Sequence, residues 1–338
     1  MPLPTAGEYA ALIDAAGADG YAIPAVNVTS TLTLNAALRG FAEARSPGIV
    51  QVTVGGAGYV SGAAADALVG ARAIAVAGHE LIARCPVPVA LHTDHCPPDR
   101  VEDFLVPLIA ASQERAARGE PPLFNSHMFD GSTLPLDDNL ARASELLETC
   151  RSAGVILEIE VGVVGGEEDG IGAEDVDRER LYTTTEDLLR VAEVLGTGER
   201  GRYLLAATFG NVHGLYAPGH VQLRPEILGD GQRALAEAHP GARFHYVFHG
   251  SSGSDPADVA AAVGYGVVKL NIDTEAQYAF TRPVADHMLT HYDGVLRIDG
   301  SVGDKAAYDP RAWGARAEAG MAVAVAETCA VTGSAGRA

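Results

Sequence analysis

Short apolar segments recur eight times along the chain and alternate with longer, more polar stretches. Each segment has the length of a strand, is rich in β-branched residues and is apolar enough to be buried on both faces, as parallel strands are. The eight segments are residues 22–28, 49–54, 87–95, 123–129, 155–161, 203–209, 244–250 and 267–273. Strands that alternate with helices in this way predict an α/β fold, a (β/α)8 TIM barrel, with functional residues at the downstream strand ends.

Helices are predicted in the stretches between these segments, and several begin with Asp or Thr, which cap free backbone N–H groups. The predicted helices are residues 64–84, 99–118, 137–152, 184–195 and 255–263. After the eighth strand, residues 274–291 and 312–331 predict additional C-terminal helices, and residues 303–311 are typical of a loop that reaches a neighbouring subunit. Because Pro- and Gly-rich spots are short and lie between predicted elements, we expect one domain over residues 1–338.

The composition fits one large domain and excludes several classes of partner. The 338 residues are 47% hydrophobic, enough for a large core, and carry a net charge of −20. Nucleic acids and anionic membrane surfaces bind basic patches, so neither is expected as a partner. No apolar stretch reaches the roughly 18 residues of a membrane-spanning helix, and the N-terminus lacks a signal-peptide pattern. The four cysteines form no C-x-x-C pair, and we expect a cytoplasmic protein.

Five of the eleven histidines fall at or near the downstream ends of predicted strands. They are His95, His127, His213, His245 and His249. In a barrel these ends converge on one face, where imidazoles can share a metal ion. Three histidines with an open fourth position are typical of catalytic zinc, and we take His95, His213 and His249 as the candidate ligands. For each histidine alone, a hydrogen-bonded structural role is the alternative.

Carboxylates are predicted at the same end of the barrel. Asp94 adjoins His95, Asp130 follows the fourth strand, and Glu158 and Glu160 alternate along the fifth strand, so both point to one face. A carboxylate inside a barrel is costly without a partner, which predicts either a metal or a hydrogen-bond network around it. For Glu158 both possibilities stay open.

Two kinds of glycine-containing loop complete the candidate chemistry. Residues 165–170, GGEEDG, are flexible and charged, as expected of a lid that carries a general base, although a solvated surface loop has the same composition. Residues 249–254, HGSSGS, follow the seventh strand, and residues 271–274, NIDT, follow the eighth. Backbone N–H groups at these two positions of a barrel commonly bind phosphate.

Six motifs, in this order, carry a resemblance to a known family. They are HTDHC, LEIE with GGEEDG, FGNVHG, VFHG, YGVVKLNIDT and YDPR. From about Ala25 to Arg311 the chain resembles the class II, zinc-dependent fructose-1,6-bisphosphate aldolases. The resemblance implies a zinc ion on the three candidate histidines and a second metal position at Asp130 and Glu160. A monovalent cation, and a homodimer or larger homo-oligomer, are also compatible with it.

The same resemblance assigns roles to further residues. It makes Asp94 the acid/base at the hydroxyl of the cleaved carbon–carbon bond, and Glu168 the group that moves the proton on the donor ketone. Asn27 and Asn271 correspond to polar groups that orient the substrate. The positions that correspond to contacts with the donor and the two phosphates are Thr53, Gly214, Gly250, Ser252, Asp273, Thr274, Lys305 and Arg311.

Three positions depart from the family pattern where phosphate is bound. Ala217 replaces the usual Lys of VHG-x-Y-K-P-G, and Ser251 replaces a glycine of HGGSGS. Val54 stands where the family has Asn, directly after the hydroxyl of Thr53. The metal and acid/base positions are therefore retained, whereas the substrate pocket is altered.

The resemblance predicts a lyase that acts on sugar phosphates, with the glycolytic cleavage of fructose 1,6-bisphosphate to dihydroxyacetone phosphate and glyceraldehyde 3-phosphate as its reaction. The altered pocket keeps open an aldolase for a different or less phosphorylated donor in a specialised pathway. A more remote hypothesis is a metal-free aldolase that forms a Schiff base on Lys269, which the period of the eighth strand places on the same face as Asn271. A zinc hydrolase on the same barrel, whose typical H-x-H pair is missing from the first strand, and a non-catalytic binding protein are two further hypotheses.

Overall fold

Eight parallel strands form a closed barrel in a computed structural model that describes residues 3–168, 171–173, 181–213, 222–295 and 303–338. In barrel order the strands are β1 (Ile23–Asn27), β2 (Gly48–Thr53), β3 (Val89–Cys96), β4 (Ser126–Phe129), β5 (Ile156–Val161), β8 (Tyr203–Ala207), β10 (Tyr246–Phe248) and β11 (Val267–Ile272), and β11 pairs with β1. All eight predicted strands are confirmed, and so is the TIM barrel.

A second, three-stranded sheet is formed by strands that lie between barrel strands in the sequence. It consists of β6 (Gly165–Glu168), β7 (Ile171–Ala173) and β9 (Val212–His213). The first four residues of the GGEEDG segment form β6, which pairs with β7 in antiparallel orientation, so the predicted loop is partly regular. The parallel pairing of Gly166 with His213 places the backbone that carries Glu168 beside the backbone of a candidate metal ligand.

Most of the helices lie around the outside of the barrel, and the first one covers its upstream end. They are α1 (Ala6–Asp19), α2 (Thr31–Ala44), α3 (Val54–Val60), α4 (Ala67–Ile82), α5 (Val106–Ala117), α6 (Leu136–Ala153), α7 (Thr185–Leu195), α8 (Glu226–Ala238), α9 (Pro256–Gly264), α10 (Thr274–Thr290), α11 (Tyr292–Val295), α12 (Lys305–Tyr308) and α13 (Pro310–Val331). Thr184 and Asp255 cap α7 and α9 with their side chains, as predicted. None of the helices in the described part of the chain is long and apolar enough to cross a membrane.

Two predictions about local structure are wrong. The helix predicted from Asp99 is regular only from Val106, because a 3-10 turn and a π-helical turn over Val101–Leu105 come first. Residues 303–311 are not a loop throughout, since α12 lies within them and Asp309 caps α13. Helices α1, α2, α3, α8 and α11 lie outside the predicted set, although Thr5 and Glu8 form a capping box at the start of α1.

The barrel interior is divided into an apolar lower part and a polar upper part. Tyr9, Ile13 and Ala16 of α1 pack into the upstream end against inward-facing side chains such as Ile23 and Ile49. A larger apolar cluster fills the space between the outer face of the strands and the helices. Because α1 closes the upstream end, the polar side chains in the interior are accessible only from the downstream end, which is where the candidate site lies.

Candidate active site at the downstream end of the barrel

Polar and charged side chains from five barrel strands, and from the residue that follows β10, fill the upper part of the barrel. All of them are at least nine-tenths buried: Asn27, Gln51, His92, Asp94, Glu158, Glu160, His249, Lys269 and Asn271. Burial of so many polar groups is tolerated only when they are hydrogen-bonded or bind a ligand. The cluster therefore has either a catalytic or a binding role, or both.

Asp94 and His95 both reach the site although they are consecutive residues. In a regular strand they would point to opposite faces. His95 has a φ of 42°, a left-handed conformation that costs a non-glycine residue about 1–3 kcal/mol. The pairing of β3 with β4 also shifts register between Thr93 and Cys96. This irregular end of β3 turns His95 toward Asp130, whose Oδ2 lies 2.9 Å from His95 Nδ1.

His95 and His249 are the centre of a group of potential metal ligands. Their ring centroids are 4.6 Å apart. Ligand atoms of Asp94, His95 and His249 lie within 4.8 Å of one another, and the same is true of His95, Asp130 and Glu160. Imidazole nitrogens with carboxylate oxygens are a donor set that suits zinc and related transition metals. The described residues could therefore bind a metal ion.

Hydrogen bonds set the charge state of this group. Burial opposes the charged form of His249, but Glu158 and Glu160, at 2.9 Å and 3.1 Å from its two ring nitrogens, raise its pKa to about 9. Burial also opposes the charged form of Asp130, yet hydrogen bonds from His95 and Ser132 lower the pKa of its carboxyl group. The two carboxylates thus favour a positive charge at His249, and a metal ion bound there would take the place of that proton.

Asp94 accepts hydrogen bonds from three side-chain amides on three strands. Its Oδ2 accepts from Asn27 Nδ2 at 3.2 Å and from Gln51 Nε2 at 2.9 Å, and its Oδ1 accepts from Asn271 Nδ2 at 3.2 Å. Gln51 also donates to Asn27 Oδ1. The amides hold the carboxylate in one orientation beside His95. This arrangement suits a group that exchanges a proton with a substrate hydroxyl.

Glu158 and Lys269 form a buried ion pair below the two histidines. Lys269 Nζ lies 2.9 Å from Glu158 Oε2, and the residue has no exposed surface. Burial opposes ionisation of Glu158, but the charge of Lys269 lowers the pKa of the carboxyl group. Of the two possibilities for Glu158, the hydrogen-bond network is therefore present. An ion-paired, buried ammonium is also poorly suited to form the Schiff base of a metal-free aldolase, since that reaction needs a neutral, accessible amine.

Two predicted histidines lie elsewhere. His127 is on the outer face of the barrel, where Nδ1 is 2.7 Å from Thr93 Oγ1 and burial lowers its pKa to about 3. His245 precedes β10 and lies at the upstream end, with Nε2 3.9 Å from Asp14 Oδ1. Neither could contribute to a metal site at the downstream end.

The structure places only some of the residues that the resemblance assigns to substrate contacts near the polar cluster. Thr53 is paired with Asp94 across β2 and β3, and its side chain caps α3. Gly250 has a φ of 63°, and a Cβ atom there would lie 2.5 Å from the carbonyl oxygen of Val212, so this position requires glycine. Ser252 is buried, whereas Asp273 and Thr274 are half-buried at the start of α10. Lys305 and Arg311 are exposed, and Arg311 pairs with Asp309.

Some of the residues that the sequence predicts for the site lie outside the described part of the chain. Conversely, two buried residues of the polar cluster are not predicted as site residues from the sequence. Gly214 and Ala217 lie outside the described residues, as do the side chains of Glu168 and His213. Gln51 and His92 belong to the cluster but receive no role from the sequence. The sequence signal for Gln51 is a single amide within an apolar strand, and for His92 it is the two-residue spacing to Asp94.

Comparisons with known proteins agree with this geometry. Residues 7–337 match the profile of the family described as fructose-bisphosphate aldolase class-II. A fructose-bisphosphate aldolase of Streptomyces galbus is 54% identical over 338 residues, with 99% of both chains covered. One of Mycobacterium tuberculosis is 52% identical over 337 residues, covering 97% of this chain and 96% of the relative.

A solved structure has the same fold over the whole chain. The fructose-bisphosphate aldolase of Campylobacter jejuni matches with a TM-score of 0.86 and 35% identity, covering 100% of this chain and 97% of that one. The family match, the relatives and the polar cluster at the mouth of the barrel lead to one conclusion. The chain belongs to the class II fructose-bisphosphate aldolase family, whose members are lyases that act on carbon–carbon bonds.

Proposed function

We propose that this chain catalyses the zinc-dependent, reversible cleavage of fructose 1,6-bisphosphate with the side chains gathered at the downstream end of the barrel. The main support for assigning these side chains is that Asp94, His95 and His249 converge: their potential ligand atoms lie within 4.8 Å of one another. A proton-exchanging carboxylate beside a metal position is what aldol chemistry requires.

The metal is assigned to three histidines and two carboxylates. His95, His213 and His249 would hold zinc, and Asp130 and Glu160 would form a second position, because they face His95 and His249 at hydrogen-bond distance. Zinc would supply a Lewis acid for the ketone oxygen of the substrate. A second divalent metal, a monovalent cation and a homodimer or larger assembly remain predictions from the family resemblance.

The proton transfers are assigned to two carboxylates. In the cleavage direction Asp94 accepts the proton of the hydroxyl next to the breaking carbon–carbon bond, and it returns that proton in the condensation. Its three amide donors fix the carboxylate for this task. Glu168 exchanges the proton on the donor carbon. The short strand that contains Glu168 supports this role, because that strand runs next to the backbone of His213.

Substrate orientation is assigned to amides and to loops after β10 and β11. Asn27 and Asn271 contact Asp94 and can orient a substrate hydroxyl in the same place. The backbone around Gly250 and Ser252, and the start of α10 at Asp273 and Thr274, would bind the donor phosphate. Thr53, Gly214, Lys305 and Arg311 complete the phosphate contacts that we propose, the two cations serving the second phosphate.

An assay of cleavage against synthesis tests this function. The metal-loaded protein is expected to cleave fructose 1,6-bisphosphate and to condense dihydroxyacetone phosphate with glyceraldehyde 3-phosphate. Parallel reactions with dihydroxyacetone and with pyruvate, each with a panel of aldehydes, serve as controls for donor choice. Condensation of a non-phosphorylated donor without any cleavage of fructose 1,6-bisphosphate would show that the aldolase acts on a different donor.

We predict weak binding of the donor phosphate, because Ala217 and Ser251 replace a lysine and a glycine. A charge-assisted contact to phosphate is worth roughly 1.5–3 kcal/mol, so KM for fructose 1,6-bisphosphate should fall about 10- to 100-fold in an Ala217→Lys/Ser251→Gly variant. Steady-state kinetics measure this change. An Ala217→Gln/Ser251→Gly variant controls for side-chain length and for loss of the hydrogen bond from Ser251 Oγ to the carbonyl of Asn271. If the unmodified protein already has a micromolar KM, the departures do not affect substrate choice.

A further inference from the structure

Lys269 has contacts that its pairing with Glu158 does not explain. It lies in the middle of β11, and its side chain is completely buried in the barrel. Besides Glu158, its Nζ contacts Asn271 Oδ1, two positions along the strand, at 2.7 Å. This is the shortest hydrogen bond of the ammonium group among the described residues, and its acceptor is a side chain that also contacts Asp94.

The chemistry of the ammonium group determines which way the Asn271 amide faces. A lysine ammonium has three donors and no acceptor, so the atom of Asn271 that meets it must be the carbonyl oxygen. The amide nitrogen is therefore directed to the other side, where it donates to Asp94 Oδ1 at 3.2 Å. With the amide reversed, its NH2 group would meet the ammonium and its oxygen would meet the carboxylate, and both contacts would be repulsive.

The two oxygens of Asp94 depend on different neighbours. Oδ2 accepts from both Asn27 and Gln51, whereas the amide donor to Oδ1 is Asn271. Asn271 has a short side chain, and Lys269 is the group that holds its oxygen. Loss of Lys269 would leave this amide free to rotate, and the orientation of the Asp94 carboxylate would lose one of its three supports.

We propose that Lys269 is a positioning residue of the aldol reaction, whose ammonium group fixes the Asn271 amide so that its N–H side faces Asp94 and the substrate. The same ammonium group is also held by Glu158, whose Oε2 lies 2.9 Å from Nζ. The inference rests on the proposed function in that Asp94 and Asn271 are taken to act on substrate. Lys269 itself does not touch the reacting atoms and forms no covalent bond.

A double-mutant cycle tests whether Lys269 acts through Asn271. We expect Lys269→Met to lower kcat about 10- to 100-fold, as misplacement of a catalytic group does, and Asn271→Ala to lower it by a similar factor. In the Asn271→Ala background, Lys269→Met should lower kcat by less than about twofold, because residues that act as a unit are not additive. Equal losses in both backgrounds would overturn the proposal.

A second comparison separates positioning from charge compensation. Lys269→Met leaves the buried carboxylate of Glu158 without its lysine partner and can prevent folding, so a Lys269→Met/Glu158→Gln variant is made as well. Its thermal midpoint is expected to return toward that of the unmodified protein while kcat stays low. Recovery of kcat in this variant would mean that Lys269 only neutralises Glu158, and the proposal would fail.

Two further measurements distinguish a positioning role of Lys269 from an effect on metal binding and from failure of the proposed function. Metal content is determined by elemental analysis, and we expect full occupancy in Lys269→Met. Among the described residues Lys269 contacts Glu158 and Asn271 but none of the assigned ligands His95, Asp130, Glu160 and His249. Loss of metal in all Lys269 variants would point to an effect through His249 and overturn the proposal. Cleavage by the unmodified protein is measured in the same assay, so its absence refutes the proposed function rather than the role of Lys269.

Discussion

Replacing His95 with alanine is expected to abolish aldol activity together with metal binding. His95 contacts both Asp130 and His249 and belongs to two of the three groups of potential ligand atoms among the described residues, so its removal disrupts both proposed metal positions. A metal that polarises a carbonyl contributes several kcal/mol, which predicts a loss in kcat of about 10³-fold or more. Elemental analysis and steady-state cleavage of fructose 1,6-bisphosphate measure the two effects on the same preparation.

His245→Ala is the matched control for His95→Ala. The sequence predicts His245 at the same end of the barrel, but it lies at the upstream end, beside Asp14, so its replacement should change neither metal content nor kcat. Chelation of the unmodified protein should remove activity, and added zinc should restore it. If activity survives metal removal, and borohydride with substrate labels Lys269, the metal hypothesis is wrong and the Schiff-base mechanism holds.

The eight strands could be predicted because parallel barrel strands are buried on both faces. Such strands appear as short apolar runs bounded by polar residues, and the boundaries of β2, β5 and β11 fall within one residue of the predicted ones. The prediction that Glu158 and Glu160 share a face likewise needed only the two-residue period of a strand. The contacts of His249 with both side chains confirm that they point to the same side.

The errors in predicting the site residues arise mainly at strand ends, where the two-residue alternation of side chains is interrupted. β10 is only Tyr246–Phe248, so His245 lies before its start rather than inside it, at the opposite end of the barrel from His249. For His127 the face is undetermined by the sequence, because both of its neighbours along β4 are buried too. The left-handed His95 is the reverse case: a local irregularity brings in a side chain that a regular strand would direct away.

The polar network inside the barrel could be predicted only in part from the sequence, because β11, which carries Lys269 and Asn271, meets β1 only when the barrel closes. Gln51 and Asn271 are 220 positions apart in the numbering, yet both donate to Asp94. A lysine in an apolar strand suggests a nucleophile, since sequence alone does not reveal that Glu158 lies 2.9 Å away. Pairing of charges across the barrel is a property of the closed fold, and it changes the role that each residue can have.

Asp94→Ala is expected to stop carbon–carbon cleavage while the metal stays bound. Removal of a positioned acid/base costs about 10²- to 10⁴-fold in rate, and the ligand set of three histidines does not require Asp94. The variant also leaves the amides of Asn27, Gln51 and Asn271 without their shared acceptor, so a lower thermal midpoint should accompany the loss of kcat. Kinetics, elemental analysis and thermal unfolding are measured together.

Asp94→Asn separates the proton-transfer role of Asp94 from its role as an acceptor. The asparagine side chain keeps the volume and one acceptor oxygen but cannot take the proton of the substrate hydroxyl at neutral pH. We expect kcat to fall as far as in Asp94→Ala, with a smaller decrease in the thermal midpoint. Asn271→Ala should lower kcat less than either variant, because it removes one donor and retains the carboxylate. Near-normal turnover in Asp94→Asn would remove Asp94 from the mechanism and leave it as the organising centre of the amide network.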